Sequence, residues 1–309
     1  MRKIMLVYNP KAGRSLFQQS LPAVIDIFAK EGYRVEVWPT QSPGDAVEKV
    51  AVYGPEADVI VAAGGDGTLD ETIEGMFRGR FKRPLGYIPV GSMNDFAGSI
   101  GLTANARTAA RRIARGSIKP LDIGRFGNDH FVYVAAFGAF TDVAYKTSQD
   151  MKNALGKVAY MVEASRRLLD LKPVHMSITA NGLTVTDDFI YGMVSNSTSV
   201  GGIKHITGKD VALDDGLFEV TLVHNPKTIF DLQEIVGALL SAEPSPLVDT
   251  IKTGSITFEA DEDVPWTLDG EYGGSEKHVE ISVLPHAINL ILSEEEVGKA
   301  VDEALLEDS

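Results

Sequence analysis

An apolar run from Val59 to Ala63 ends abruptly on Gly64-Gly65-Asp66-Gly67-Thr68, and helix-like spacing takes over from Leu69. A strand that stops on glycines and restarts as a helix gathers bare backbone amides and a helix N-terminus at one point. That arrangement suits phosphate. The aspartate inside the loop adds a second constraint. A carboxylate among phosphate-binding amides repels the anion, unless a divalent cation or a proton transfer gives it a task. The segment predicts a sheet whose strand end handles nucleotide phosphate.

The surrounding 120 residues repeat the theme. Short strand patterns at Lys3–Tyr8, Tyr33–Trp38, Ala57–Ala63 and Pro84–Pro89 alternate with helical spacing near 17–31, Pro43–Val50, Asp70–Phe77 and 104–115. This βαβα rhythm predicts a doubly wound, mostly parallel sheet, with ligands beyond the carboxyl ends of its strands. After Pro120 the pattern changes to short alternating strands separated by turns such as Asn181-Gly182 and Asp214-Asp215-Gly216. The expected organisation is an α/β domain over 1–120 and an antiparallel, β-sandwich-like domain over 121–291. Helical interruptions are expected near 154–170 and 227–240. The tail, 292–309, has helical spacing from 294 to 307 and is expected to pack back on the body.

A chain of 309 residues has room for two such domains and a substantial core. It contains no cysteine, which excludes disulfides, thiolate catalysis and cysteine-ligated metal. No run approaches the roughly 18 apolar residues of a membrane span. The opening Met1-Arg2-Lys3 before a short strand does not read as a secretory signal. A net charge of −14 argues against nucleic-acid binding. The charge is uneven, however: nine basic residues lie between Arg78 and Lys119 against Asp95 alone. A phosphate-bearing ligand, an anionic membrane surface or a plain solvated helix face all fit that segment.

Four further motifs bear on chemistry. Asn9-Pro10-Lys11-Ala12-Gly13-Arg14-Ser15 closes the first strand with donors and cations suited to phosphate. Gly91-Ser92-Met93-Asn94-Asp95-Phe96-Ala97 opens a helix at a third strand end, where Asn94 and Asp95 fit a cap as well as a site. Leu268-Asp269-Gly270-Glu271 sets two acids about a glycine. One acid of that pair can deprotonate a hydroxyl while the other binds a cation or orients the first, and a charged surface hairpin fits equally. Ala212-Leu213-Asp214-Asp215-Gly216-Leu217 is a turn that can enclose a hard cation or be simply a turn. The six histidines show no close pair, and no Walker A sequence or nucleophile elbow occurs.

Together these residues resemble the bacterial diacylglycerol kinase-like lipid kinases, whose catalytic domain is shared with sphingosine and ceramide kinases. The resemblance runs in order from Asn9–Gly13 through Thr40 with Gly44-Asp45-Ala46, Gly64–Thr68 and Gly91–Ala97. It continues through Val194-Ser195-Asn196, Gly201-Gly202 and Asp214–Leu217 to Leu268–Tyr272. It implies a nucleotide-binding first domain, a β-rich lipid domain and an active site in the cleft between them. Asn9, Pro10, Lys11, Ala12, Gly13, Thr40, Gly64, Gly65, Asp66, Gly67, Thr68, Leu69, Asp70, Glu71 and Ser92 would line the ATP site. By the same resemblance, Asp66 helps hold the Mg²⁺-bound phosphates. Glu271 is the base that takes the lipid hydroxyl proton, with Asp269 beside it, and Asp215 binds a structural cation with the carbonyls of Ala212 and Leu217. Two positions depart from the family pattern: Asp70 stands for the usual Asn, adding negative charge near the phosphates, and Ser92 stands for the usual Thr. The Ala-Pro element common ahead of the Asp-Asp-Gly turn is replaced by Ile206-Thr207-Gly208.

The expectation is an ATP- and Mg²⁺-dependent lipid kinase acting on a diacylglycerol-like hydroxyl. It would be cytoplasmic, peripheral at the inner membrane face and without nucleic-acid partners, a homodimer being left open. A soluble-substrate kinase of the NAD kinase type explains the glycine–aspartate loop, but not Gly91–Ala97 together with Asp269 and Glu271. A nucleotide- or lipid-binding regulator of low turnover has Asp70 as its one hint.

Overall fold

The computed structural model describes residues 1–15, 17–92, 94–138, 172–200, 203–204, 211–241 and 244–293. The helices expected at 154–170 and in the tail, and the segments Gly201-Gly202 and Ile206–Gly208, lie outside the described residues. Two compact units form: Met1–Ile123 with Ala212–Asp215 and the chain from Leu284, and Gly124–Val211 with Gly216–Val283. The chain leaves the first unit and returns to it twice, a crossing that a boundary drawn at one sequence position does not represent.

The first unit is built from β1 (Arg2–Tyr8), α1 (Phe17–Lys30), β2 (Tyr33–Pro39), α2 (Asp45–Tyr53), β3 (Val59–Gly64), α3 (Asp66–Arg78), β4 (Pro84–Pro89), α4 (Asp95–Ser99) and α5 (Ala106–Arg115). β1 pairs parallel with β2 from Arg2↔Tyr33 to Tyr8↔Pro39, and with β3 from Ile4↔Val59 to Tyr8↔Ala63. β3 in turn pairs parallel with β4 from Ile60↔Leu85 to Gly64↔Pro89. Successive residues of a strand face opposite ways and residues two apart share a face, so with these registers Ile4, Leu6, Val59, Val61, Ala63 and Ile88 share one side. They form a core there with Phe17, Val24 and Phe28 of α1 and Ala109, Ala110 and Ile113 of α5. On the other side Met5, Val7, Ile60, Ala62 and Tyr87 are buried, as are Leu69, Ile73 and Met76 of α3. Helices α2 and α3 approach closely at Gly75, where a Cβ would stand 2.7 Å from the Val50 Cβ and 2.8 Å from the Val47 carbonyl oxygen.

The in-phase parallel register carries function. Because β1, β3 and β4 end level, the turns beginning at Asn9, Gly65 and Val90 emerge along one edge, with Thr40 following β2 beside them. The helix after the glycine loop begins at Asp66 rather than near Asp70, as the apolar spacing alone indicates. Its first turn consists of the motif itself, which has little apolar content to reveal a helix.

The chain continues through β5 (Ser117–Phe126), β6 (Asp129–Phe131), β7 (Val134–Gly138), β8 (Val174–Ala180), β9 (Leu183–Ser195) and the short pair β10 (Ser199–Val200) and β11 (Ile203–Lys204). It then forms β12 (Phe218–His224), α6 (Ile229–Ser241), β13 (Val248–Thr253), β14 (Ser255–Leu268) and β15 (Glu271–Leu292). Among the described residues of the second unit, antiparallel pairing joins β13 with β12, β12 with β9, β9 with β7 and β8, β14 with β7, β8 and β15, β5 with β6, and β10 with β11. The end of β15 runs parallel to β4 in the first unit. Trp266 lies fully inside, its ring centroid 4.9 Å from Phe137, 5.0 Å from Phe258 and 5.2 Å from Phe126. β14 and β15 are far longer than the short alternating strands that the sequence pattern predicts here. Register shifts between Glu259 and Val264 interrupt the pairing there. The run Glu259-Ala260-Asp261-Glu262-Asp263, exposed except at the partly buried Ala260, therefore has the composition of a loop while continuing a strand. Among the described residues no helix is long and apolar enough to cross a membrane.

Candidate active site

Three strand ends of the first unit meet through backbone contacts that tolerate little besides glycine. The Gly64 carbonyl accepts from Val90 N at 2.9 Å and from Gly91 N at 3.1 Å. A Cβ on Gly91 would collide with the Gly65 Cα, and one on Gly13, held at φ +53°, would collide with the Val90 carbonyl. Asn9 N donates to the Ala63 carbonyl at 3.0 Å and Thr40 N to that of Tyr8 at 2.9 Å. The Asn9 side chain accepts from Lys11 N at 2.9 Å and so closes its own turn. Asn94 does the same in the third loop. Its Oδ1 accepts from Gly91 N at 2.9 Å and its Nδ2 donates to the Gly91 carbonyl at 3.0 Å, with Asn94 at φ +54°. The loops of Asn9, Gly64 and Gly91 are thus one framework.

Within it the predicted nucleotide residues divide by what they offer. Thr68 and Leu69 have buried side chains, and their amides turn back to the Gly65 carbonyl at 3.0 and 3.2 Å. The first amides of α3, from Gly65 to Gly67, have no acceptor within the helix, which leaves them to an anion. Ser92 and Lys11 are exposed, and Asp70 is half-buried, one turn into α3. Glu71 has a structural task as well. Its Oε1 accepts from Gly44 N at 2.9 Å and its Oε2 from Ala46 N at 3.2 Å, so it caps α2 and fixes the loop after Thr40.

Asp66 ties the loops together. One carboxylate oxygen accepts from Asp95 N at 2.9 Å and the other from Phe96 N at 3.4 Å, at the start of α4. Burial pushes its pKa up, the two amides pull it down, and the neighbouring Asp95 charge raises it again. The Tyr87 hydroxyl stands 3.5 Å from the same carboxylate, and burial together with the Asp66 charge pushes that phenol up. Sequence reading did not find Tyr87, because an aromatic near the end of an apolar strand carries no polar signal.

In the second unit Asp269 and Gly270 form the two-residue turn between β14 and β15, at φ +51° and +85°. Positive φ at both positions is the hairpin geometry that Asp-Gly favours. The Asp269 carboxylate is engaged with backbone: it accepts from Val132 N at 2.5 Å, Tyr133 N at 3.0 Å and Val134 N at 2.9 Å. Its own amide donates to the Val134 carbonyl at 2.8 Å. The hairpin is thereby pinned to the stretch entering β7, while Glu271 is exposed at its tip. Ala212 and Asp215 fall in the first unit and Leu217 in the second. Among the described residues no group of three or more histidine or acidic side chains is placed to hold a metal.

Residues 3–126 match the family model of the diacylglycerol kinase catalytic domain. Residues 135–292 match that of the YegS C-terminal NAD kinase beta sandwich-like domain. A diacylglycerol kinase of Bacillus subtilis (strain 168) is 30% identical over 277 residues, spanning 89% of this chain and 91% of its own. One of Staphylococcus aureus (strain JH9) is 30% identical over 319 residues, with 99% of each chain covered. A solved structure of a diacylglycerol kinase from Bacillus anthracis str. Sterne superposes with a TM-score of 0.75 at 24% identity, covering 95% of this chain and 98% of that one. A second solved chain from that organism reaches a TM-score of 0.80 at 25% identity, covering 95% and 96%.

Proposed function

The chain belongs to the diacylglycerol kinase family and is a lipid kinase, and we propose that it transfers the γ-phosphate of ATP to the hydroxyl of a diacylglycerol-like lipid. The observation that carries this reading is the framework of Gly13, Gly64, Gly65 and Gly91. Cβ atoms at Gly13 and Gly91 would strike the facing loop, and the first amides of α3 stand beside that contact. Those features fit the phosphates of a nucleotide, with Lys11 as an added cation. The parallel pairing of β1 to β4, with helices packed against both sides, supports a doubly wound nucleotide domain.

Glu271 is the proposed base. Its exposure at a pinned hairpin tip supports a carboxylate that reaches an incoming hydroxyl, and Asp269 holds the hairpin that presents it. Asp66 and the α3 amides are the proposed electrostatic contacts of the transferring phosphoryl group. Mg²⁺, when bound with the nucleotide, would be held by Asp66 together with phosphate oxygens and would neutralise charge as it develops. A second, structural cation at Asp215 with the Ala212 and Leu217 carbonyls belongs to the same reading, supported by the exposed Asp215 and the turn at Gly216, φ +77°. The protein would act from the cytoplasm as a peripheral visitor to the membrane.

The test is transfer of labelled γ-phosphate across a panel of lipids and NAD. Phosphorylated diacylglycerol is the expected product, and phosphorylated NAD without lipid product refutes the reading. Glu271→Gln should remove turnover while ATP affinity stays near wild type.

A further inference from the structure

Ser195, the last residue of β9, and Asn196 after it are buried, and both donate to the carbonyl of Tyr133: the Ser195 Oγ at 3.0 Å and the Asn196 amide at 3.0 Å. Tyr133 is itself buried and stands one residue before β7. Its amide donates to one Asp269 carboxylate oxygen at 3.0 Å, and its hydroxyl donates to the Asp269 carbonyl at 3.3 Å. Tyr133 thus grips Asp269 by side chain and main chain together, while the end of β9 holds Tyr133. The pairing of Val134 with Ser195 and of Ala135 with Leu268 sets these three segments in register.

The hydroxyl contact matters because of which carbonyl it takes. Asp269 and Gly270 are the two central residues of the hairpin turn, so the Asp269 carbonyl belongs to the turn's central peptide. With φ +51° and +85° the turn is of type I′. Reversing that one peptide gives type II′, in which Gly270 has negative φ. Glycine accepts either sign, so residue 270 does not choose between them. Asp269 at the first position favours type I′. The Tyr133 hydroxyl adds to that preference, because reversal would carry the Asp269 carbonyl away from it. A phenylalanine fills the same space without making the bond. Glu271 follows directly and is exposed, so its aim depends on the backbone that carries it.

We propose that Tyr133 is a positioning residue for phosphoryl transfer, its hydroxyl locking the central peptide of the Asp269–Gly270 turn and so fixing the direction from which Glu271 is presented. The inference rests on the reading of Glu271 as the base. Proton abstraction needs the carboxylate within roughly 2.6–3.2 Å of the acceptor hydroxyl at the moment of transfer. A turn held in one form keeps that distance available without a search, and the gain falls on the reacting complex rather than on nucleotide binding.

The test is steady-state transfer of labelled γ-phosphate to diacylglycerol in detergent micelles by the full chain. A neutral hydrogen bond is worth about fivefold, so Y133F should lower kcat by about that factor and leave the KM for ATP unchanged. T267V is the comparison. It removes the Thr267 Oγ1 bond to the Ala136 carbonyl, also 3.3 Å long and also joining β14 to β7, and should keep the wild-type kcat. In Glu271→Asp the shorter carboxylate is already displaced, so adding Y133F should cost less than about twofold, since both changes disturb one geometry. Wild-type kcat in Y133F, an equal loss in T267V, or the same loss in the Glu271→Asp background as in wild type overturns the proposal. Glu271→Gln separates failure of the lock from failure of the base. No turnover there, with wild-type kcat in Y133F, sinks the lock alone. Wild-type turnover in Glu271→Gln removes the base and the lock with it.

Discussion

Asp269 separates an acid that works on structure from one that works on substrate. Its carboxylate accepts three amides, those of Val132, Tyr133 and Val134, which belong to residues 2%, 4% and 6% exposed. Water therefore has little access to replace it. A buried donor left without an acceptor costs about 1–3 kcal/mol, and the three share one acceptor group, so their costs overlap. Asp269→Asn keeps the left-handed turn, which asparagine tolerates, and keeps one acceptor oxygen; the expected loss is about 2–3 kcal/mol. Asp269→Ala removes both oxygens and adds about 1–2 kcal/mol of left-handed strain, for roughly 4–5 kcal/mol. The chain has two tryptophans, Trp38 in the first unit and Trp266 in the core of the second. In a Trp38→Phe background, Trp266 fluorescence during urea unfolding reports the second unit by itself. The midpoint should fall in the order wild type, D269N, D269A, with an unchanged slope. Turnover should fall in the same order. An unchanged midpoint in D269N alongside lost turnover refutes the argument and gives Asp269 a direct part in the chemistry.

Asp66 has a pKa raised above the ordinary carboxylate value by burial, so its ionised form costs stability at neutral pH and that cost is relieved as pH falls through the carboxylate range. Asp66→Asn should therefore melt above wild type at neutral pH, lose that margin on acidification and transfer no phosphate; retained turnover would remove Asp66 from the phosphate site. Gly13→Ala meets both a positive φ and the Val90 carbonyl and should destabilise by about 2 kcal/mol or more, with ATP affinity falling in calorimetric titration. Gly75→Ala gains about 1 kcal/mol of helix propensity but forces apart α2 and α3 at about 1–3 kcal/mol, so a small net drop in melting temperature is expected, with ATP affinity unchanged.

Local chemistry was legible along the chain: a strand that stops on Gly64, the loops at Asn9 and Gly91, a parallel rhythm before residue 120 and antiparallel patterning after it. Those signals are short-range, since hydrophobic period and glycine placement are set within a few residues. The same residues left open what each polar side chain does. Glu71 reads as part of the glycine motif, yet its carboxylate caps α2, more than twenty residues earlier in the chain. Asp66 bonds the amides of Asp95 and Phe96, Tyr87 joins it from a neighbouring strand, and Asp269 is held by Val132 to Val134. On α5 the burial of Ala109, Ala110 and Ile113 likewise turns Arg112 inward and leaves Arg107 and Arg111 exposed. Each of these assignments depends on which backbone amide or carbonyl arrives from elsewhere in the chain. Strand register and helix rotation decide that, and neither is encoded at the position of the residue concerned.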